Sequence, residues 1–271
     1  MTLFQKPITD YLEGSQQTRA AVDHSKSPAS EFLEEVNDLC DAVHHCKRKF
    51  PRKNNGEFTK DSSDSFERLV MASFALMMSH FERFQREQFA ALIDWSFAFS
   101  CPEPIELAKN LEKAGCELSL PRVLVGPGDE GEIGEIVADA MPGWHNSARV
   151  NAYFKAIIPA HTFYSNAIVA ELDKLWQLRH SIVHSGGLLT KADAIKVTGL
   201  SGFANRQIKF GEGFMPAIGR RMHIVVQKTL TPLKDRMENL LLPLPDEPEE
   251  ERQSAIASMV GYQSRRPSWF R

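Results

Sequence analysis

Apolar side chains recur every three or four positions through most of the chain, the period of helices that lay one face on a core. Between residues 31 and 49, Phe32, Leu33, Val36, Leu39, Cys40 and Val43 share such a face, with Ser30 standing where a cap belongs. The pattern stops at FPRKNNGEF, where Pro51, Asn54, Asn55 and Gly56 break it. A longer helix is predicted over 65–99, since Phe66, Leu69, Val70, Phe74, Met77, Phe81, Phe84, Leu92 and Trp95 keep helical spacing with no intervening Gly or Pro. This helix is expected to form the backbone of the core.

Pro102 and Pro104 then open a short helix, and Gly126, Pro127, Gly128 and Gly131 mark a loop. Two short helices separated by MPGWHN are expected over 133–160, followed by a long one capped by Ser165 or Asn166 and stopped by Gly186 and Gly187. Beyond it the period changes: AIKVTG and RQIKFG alternate apolar and polar residues around LSGFAN, which predicts a small β-hairpin. A last helix over 215–241 presents Ile218, Met222, Val225, Val226, Leu230, Leu233, Met237, Leu240 and Leu241, with Pro232 placed to kink it. No internal repeat or sustained heptad array is visible. The expected fold is all-α: an N-terminal helical extension over 1–60, a helical domain with a small hairpin over 61–242, and a charged, mobile tail over 243–271.

Composition narrows the functional classes. With 271 residues and a formal net charge of -3, the chain has no uniformly basic surface, so any contact with nucleic acid must be local. The four cysteines, Cys40, Cys46, Cys101 and Cys116, form no CxxC pair and fit neither a zinc ribbon nor a dense disulfide framework. A reducing cytoplasm is the expected compartment, because the first residues lack a signal-peptide core. The most apolar run, LVMASFALMMS, meets His80, Glu82 and Arg83 well short of the roughly 20 residues a membrane span requires.

The stretch LWQLRHSIVHSGG, residues 175–187, breaks this ordinary pattern. Ile168, Val169, Leu172, Leu175, Trp176, Ile182 and Val183 define an apolar stripe whose spacing, carried through its gap, lands on Arg179 and His180. An unpaired guanidinium in an apolar interior costs several kcal/mol, so Arg179 must meet a carboxylate, a solvent-filled cleft or an anion from outside. His184 lies near the helix C-terminus, where the backbone dipole favours a positive imidazole and suits it to proton transfer. Positions five apart on a helix point about 140° away from each other, so Arg179 and His184 of one chain do not converge. Side-chain reach, fraying of the helix end, or two copies of the helix across a twofold axis could supply the convergence.

Arg179, the polar His180, and His184 after them resemble the R-polar-x(3 to 5)-H signature of HEPN domains, within them the RiboL-PSP-HEPN group. MMSHFERFQREQFAALIDW on the long helix, VNAYFKAIIP before the motif, and the Gly186–Gly187 pair with a hairpin and last helix after it extend the resemblance over residues 62–242. Asn is frequent at the position of His180 in that family. The resemblance implies a helical domain that dimerises with its signature helices face to face and, in catalytic members, cleaves RNA without a metal. Arg179, His184 and His180 would be the catalytic set: a histidine moves the 2′-OH or 5′-oxygen proton, and the arginine neutralises charge on the pentavalent phosphate. It implies RNA as substrate, a homodimer, no cofactor, and, as in toxin and phage-defence members, a regulatory partner protein such as an antitoxin.

Plainer readings stand beside these. Arg179 could form a structural salt bridge to Glu82 or Glu87 of the long helix, and the groove could belong to a non-catalytic module that binds a nucleotide, RNA or a protein. His180 and His184 share a helix face as metal-binding pairs do, yet no HExxH glutamate or third ligand accompanies them, so no metal is expected. His44, His45 and Cys46 are adjacent residues that point apart, as on a solvated face. KRKFPRK, residues 47–53, places five cations around an aromatic and reads first as a solvated helix end, second as a phosphate contact. GPGDEGEIGE carries acids that would repel phosphate and is no P-loop.

Overall fold

The computed structural model describes residues 27–99, 102–118, 133–240 and 249–263. Cys101, the glycine loop of 126–131, residues 1–26 and the basic end of the tail lie outside those segments. The described chain is mostly helical, with one two-stranded sheet. Its elements are α1 (Pro28–Lys49), α2 (Lys60–Phe99), α3 (Pro104–Ala114), α4 (Ile133–Ala140), α5 (Ser147–Ile157), α6 (Asn166–Ser185), β1 (Leu188–Leu189), α7 (Lys191–Ala194), β2 (Arg206–Gln207), α8 (Phe214–Leu240) and α9 (Glu249–Val260). Among the described residues no helix is long and apolar enough to cross a membrane.

Forty residues without Gly or Pro make α2 a rod of roughly 60 Å, and α1, α4, α5, α6, α8 and α9 all pack against it. Its inward side chains Phe74, Met77, Met78, Phe81, Phe84, Phe89 and Ile93 are fully buried. Phe32 of α1 stacks on Phe84 at 5.4 Å, and Trp144 meets both Phe89 and Tyr153 edge-on. Aromatic rings of this size dominate the area removed from water and set the spacing between helices. Gly134 lets α4 lie directly on α2: a Cβ there would stand 2.1 Å from the Ala90 carbonyl oxygen, and its N–H donates to Asp94 at 2.7 Å.

Several boundaries differ from the sequence expectation. The cap of α1 is Ser27 rather than Ser30, accepting from the Ser30 N–H at 3.2 Å, because Pro28 fits the first helical turn and extends the helix backwards. In the N-terminal helical extension, Phe32, Leu33, Val36 and Cys40 of α1 belong to the same buried core as α2 and α8. The charged segment after 242 is not wholly a mobile tail: α9 forms within it and buries Ile256, Met259 and Val260, and Gln88 of α2 donates to the Met259 carbonyl at 2.8 Å. Pro232 sits on the exposed side of α8 and does not end it.

The hairpin is real, but its first strand is not AIKVTG. Leu188 pairs with Gln207 and Leu189 with Arg206 in antiparallel register, while AIKVTG begins at the end of α7 and continues as turn. Thr190 caps α7 by accepting from the Asp193 N–H at 3.1 Å, and this local bond overrides the alternation read from the sequence. Residues 188–210 form a small excursion with its own core of Leu189, Ala194, Leu200 and Ile208, seated on Leu178 and Ile182 of α6.

Candidate functional site

Ser165 caps α6 and Gly186 ends it in the left-handed region at φ 59°, as its residue types dictate. Gly187 follows at φ 86°, a left-handed conformation that disfavours any side chain, and donates to the Ser181 carbonyl at 2.9 Å. Ile208 donates to the Gly187 carbonyl at 2.8 Å and Gln207 to the Gly186 carbonyl at 2.8 Å. The excursion is therefore clamped to the helix end that carries His184.

The apolar stripe of α6 does not continue as its first half predicts. Ile168, Leu172, Leu175 and Trp176 are buried, but the buried line then runs through Gln177 and Ser181, and Val183 is 54 % exposed. Gln177 donates to the Ser181 hydroxyl at 3.4 Å, so two polar residues close the inner face between themselves. This rotation carries His180 and His184 out to solvent and leaves Arg179 at the rim.

Arg179 leans toward α2. Its guanidinium donates to the Ser79 hydroxyl at 3.4 Å, lies 3.8 Å from the Glu82 carboxylate and stands 5.6 Å from the Trp176 ring. Of the two acids weighed as its partner, Glu82 is the one that faces it; Glu87 lies 3.6 Å from Arg83. The contacts are long and incomplete. The Arg179 Nε–H and the Trp176 Nε1–H are buried without a hydrogen-bond partner, two donors within one turn of helix.

His180 and His184 face each other across one helical turn, ring centroids 4.8 Å apart. His180 also lies within electrostatic reach of Asp193 on α7, whose carboxyl is held below its usual range by hydrogen bonds from Lys196 and Thr190 and, more weakly, by His180. His180 thus lies within electrostatic reach of the excursion through Asp193, while Arg179 is on the side next to α2. Ser79, the buried Gln177–Ser181 pair and the Asp193 neighbour were not legible in the sequence; a side-chain oxygen buried at 181 carries no periodic signal different from a surface serine.

The remaining motifs resolve simply. Lys47 and Arg52 both pair with Glu212, at 2.9 and 3.3 Å, and Arg52 covers the Phe58 ring at 4.0 Å. Lys47 and Arg52 thereby tie the turn after α1 to the residues just before α8. His44 and His45 are exposed, and among the described residues no group of three His, Cys, Asp or Glu side chains is placed to hold a metal ion. Comparison with protein-family models, curated proteins and solved structures returned no match.

Proposed function

We propose that the Arg179, His180 and His184 face of α6 is an RNA-cleaving site of the HEPN type, completed by the same helix of a second copy. The observation that carries this reading is the pair of exposed imidazoles 4.8 Å apart, one turn along the helix from each other, next in sequence to an arginine whose Nε–H lacks an acceptor. Within one chain Arg179 and the histidines look to different sides, which is why a twofold partner belongs to the proposal.

The chemistry follows from the groups. His184 accepts the proton of a ribose 2′-OH as that oxygen attacks the adjacent phosphorus, and the bond to the 5′-oxygen breaks as that oxygen takes up a proton. The products are a 2′,3′-cyclic phosphate and a 5′-hydroxyl, with no water consumed. Arg179 stabilises the phosphorane through its N–H donors, exchanging its loose contacts to Glu82 and Ser79 for phosphate oxygens. His180 positions the substrate. The attack requires a 2′-OH, so RNA is cleaved and DNA is not. A cytoplasmic enzyme of this kind acts as a toxin or defence effector held by a regulatory protein.

The test is cleavage of transfer and messenger RNA by purified protein in excess chelator. Cyclic-phosphate ends that disappear in Arg179→Ala and His184→Ala support the reading; no cleavage, or cleavage undiminished in both variants, removes it. One observation favours a second reading. The 3.8 Å approach of Glu82 to Arg179 suits a non-catalytic groove that binds a ligand or partner while holding its own arginine. Induced expression separates the two: wild-type toxicity lost in His184→Ala belongs to the enzyme, harmless wild type to the binding module.

A further inference from the structure

The excursion over 188–210 differs from the rest of the chain in charge and in what it exposes. It carries Lys191, Lys196, Arg206 and Lys209 against the single acid Asp193, in a protein whose net charge is -3. Lys196 pairs with Asp193 at 2.8 Å and Lys209 with Glu67 at 3.5 Å, yet both lysines stay largely exposed. Among the described residues Lys191 and Arg206 have no ion pair. Phe203, on a short 3₁₀ turn at the tip, is 56 % exposed, and Ile195 is 67 % exposed.

The exposed Phe203 is not explained by folding. The excursion closes its own small core with Leu189, Ala194, Leu200 and Ile208, all buried, and Phe203 lies outside it. A ring left in water on a cationic arm is an arrangement suited to single-stranded nucleic acid: the ring stacks on a base while the cations meet phosphates. A protein partner would be matched better by a continuous apolar surface than by three exposed side chains, Leu188, Ile195 and Phe203, on an arm that carries four cations. The arm is also rigidly held. Asn205, at φ 57°, donates its backbone N–H to the Leu189 carbonyl at 2.7 Å and accepts from the Lys191 N–H at 3.0 Å, fixing the base of the tip. Arg206 lies opposite Leu189, four residues beyond the end of α6.

We infer that residues 188–210 form a docking arm for single-stranded RNA, with Phe203 as the stacking surface and Lys191 and Arg206 as phosphate contacts. The arm is seated on Leu178 and Ile182 of α6, the helix that also carries the histidines, and its role is to hold the strand close to that helix. This rests on the reading of the histidine face of α6 as an RNA site, but it assigns binding to residues that take no part in the chemistry.

The experiment measures fluorescence anisotropy of a labelled 12-nucleotide single-stranded RNA with the full chain in chelator, across a salt series, alongside cleavage of the same RNA. Phe203→Ala is expected to weaken binding about tenfold and Phe203→Trp to retain it. Lys191→Glu with Arg206→Glu should weaken binding further and flatten the slope of log affinity against log salt by about 1.4. Thermal melting confirms that each variant is folded. Wild-type binding and cleavage with Phe203→Ala and the charge-reversed variant both unaffected would overturn the arm and leave the cleavage reading intact. Binding that depends on Phe203 without any cleavage upholds the arm and removes the catalysis. No binding by wild type overturns both.

Discussion

Gln85 of α2 and Arg179 of α6 are both polar residues on helices that face the same core, and the protein treats them oppositely. Gln85 is fully buried with both ends of its amide used: it donates to the Trp144 carbonyl at 3.1 Å and accepts from the Tyr164 hydroxyl at 3.2 Å. Burial drives the Tyr164 hydroxyl well above its ordinary pKa, so it remains a neutral donor to that amide. Arg179 sits at the rim with one N–H unsatisfied, a hydroxyl at 3.4 Å and a carboxylate at 3.8 Å. A polar group placed for stability acquires partners with good geometry. A polar group with partial partners at the surface is poised to take a better one.

That contrast gives an ordered set of tests. The largest effect is expected in function at the rim: Arg179→Ala and His184→Ala should each lower RNA cleavage by about 10²–10⁴-fold, measured by single-turnover assay, while moving the melting temperature little. At the core, Gln85→Leu should leave a carbonyl and a hydroxyl unsatisfied and cost about 3 kcal/mol in urea unfolding. If Arg179→Ala costs as much stability as Gln85→Leu, the comparison fails and Arg179 is a structural residue.

A smaller effect is set by pH. Burial lowers the pKa of His161 and of His223, and Arg236 lowers that of His161 further. The unfolded chain therefore binds protons more readily than the folded one below the ordinary value of 6.5. Stability from these sites is fully present above that pH and is lost as pH falls through the lower folded values. Unfolding midpoints should decline on acidification, and His161→Gln with His223→Gln should flatten the decline; an unchanged slope in the double variant would assign it elsewhere. The smallest effect belongs to Glu82→Gln, because a partly exposed pair at 3.8 Å, too long for a good hydrogen bond, contributes under about 1 kcal/mol. Its unfolding curve should nearly overlay that of wild type, whereas RNA binding should tighten as Arg179 loses its competing carboxylate.

The helices were readable because each follows from a rule acting over a few residues. Ser165 and Gly186 mark the ends of α6, Pro104 the start of α3, and the glycine-free run the length of α2. Where neighbours in space compete with that rule, the reading slipped. Alternation over 194–199 looks like a strand, but the Thr190 cap and the pairing of β1 with Arg206 and Gln207 take that role elsewhere. Charge over 243–252 looks like a tail, but Ile256, Met259 and Val260 further along find a place on the core.

By itself, then, the order of residues determined an all-α chain, the helix that bears Arg179, His180 and His184, and the need of a lone arginine for an acceptor. Periodicity, capping and the cost of burying charge are local properties, and they are written in local sequence. Only the tertiary structure decided which way that helix is turned, that Glu82 and not Glu87 meets Arg179, and that a basic arm with an exposed Phe203 packs on Leu178 and Ile182 of the same helix. Those outcomes depend on where residues a hundred positions apart come to lie, and a rotation of α6 by a fraction of a turn exchanges its buried and exposed side chains without changing a single propensity.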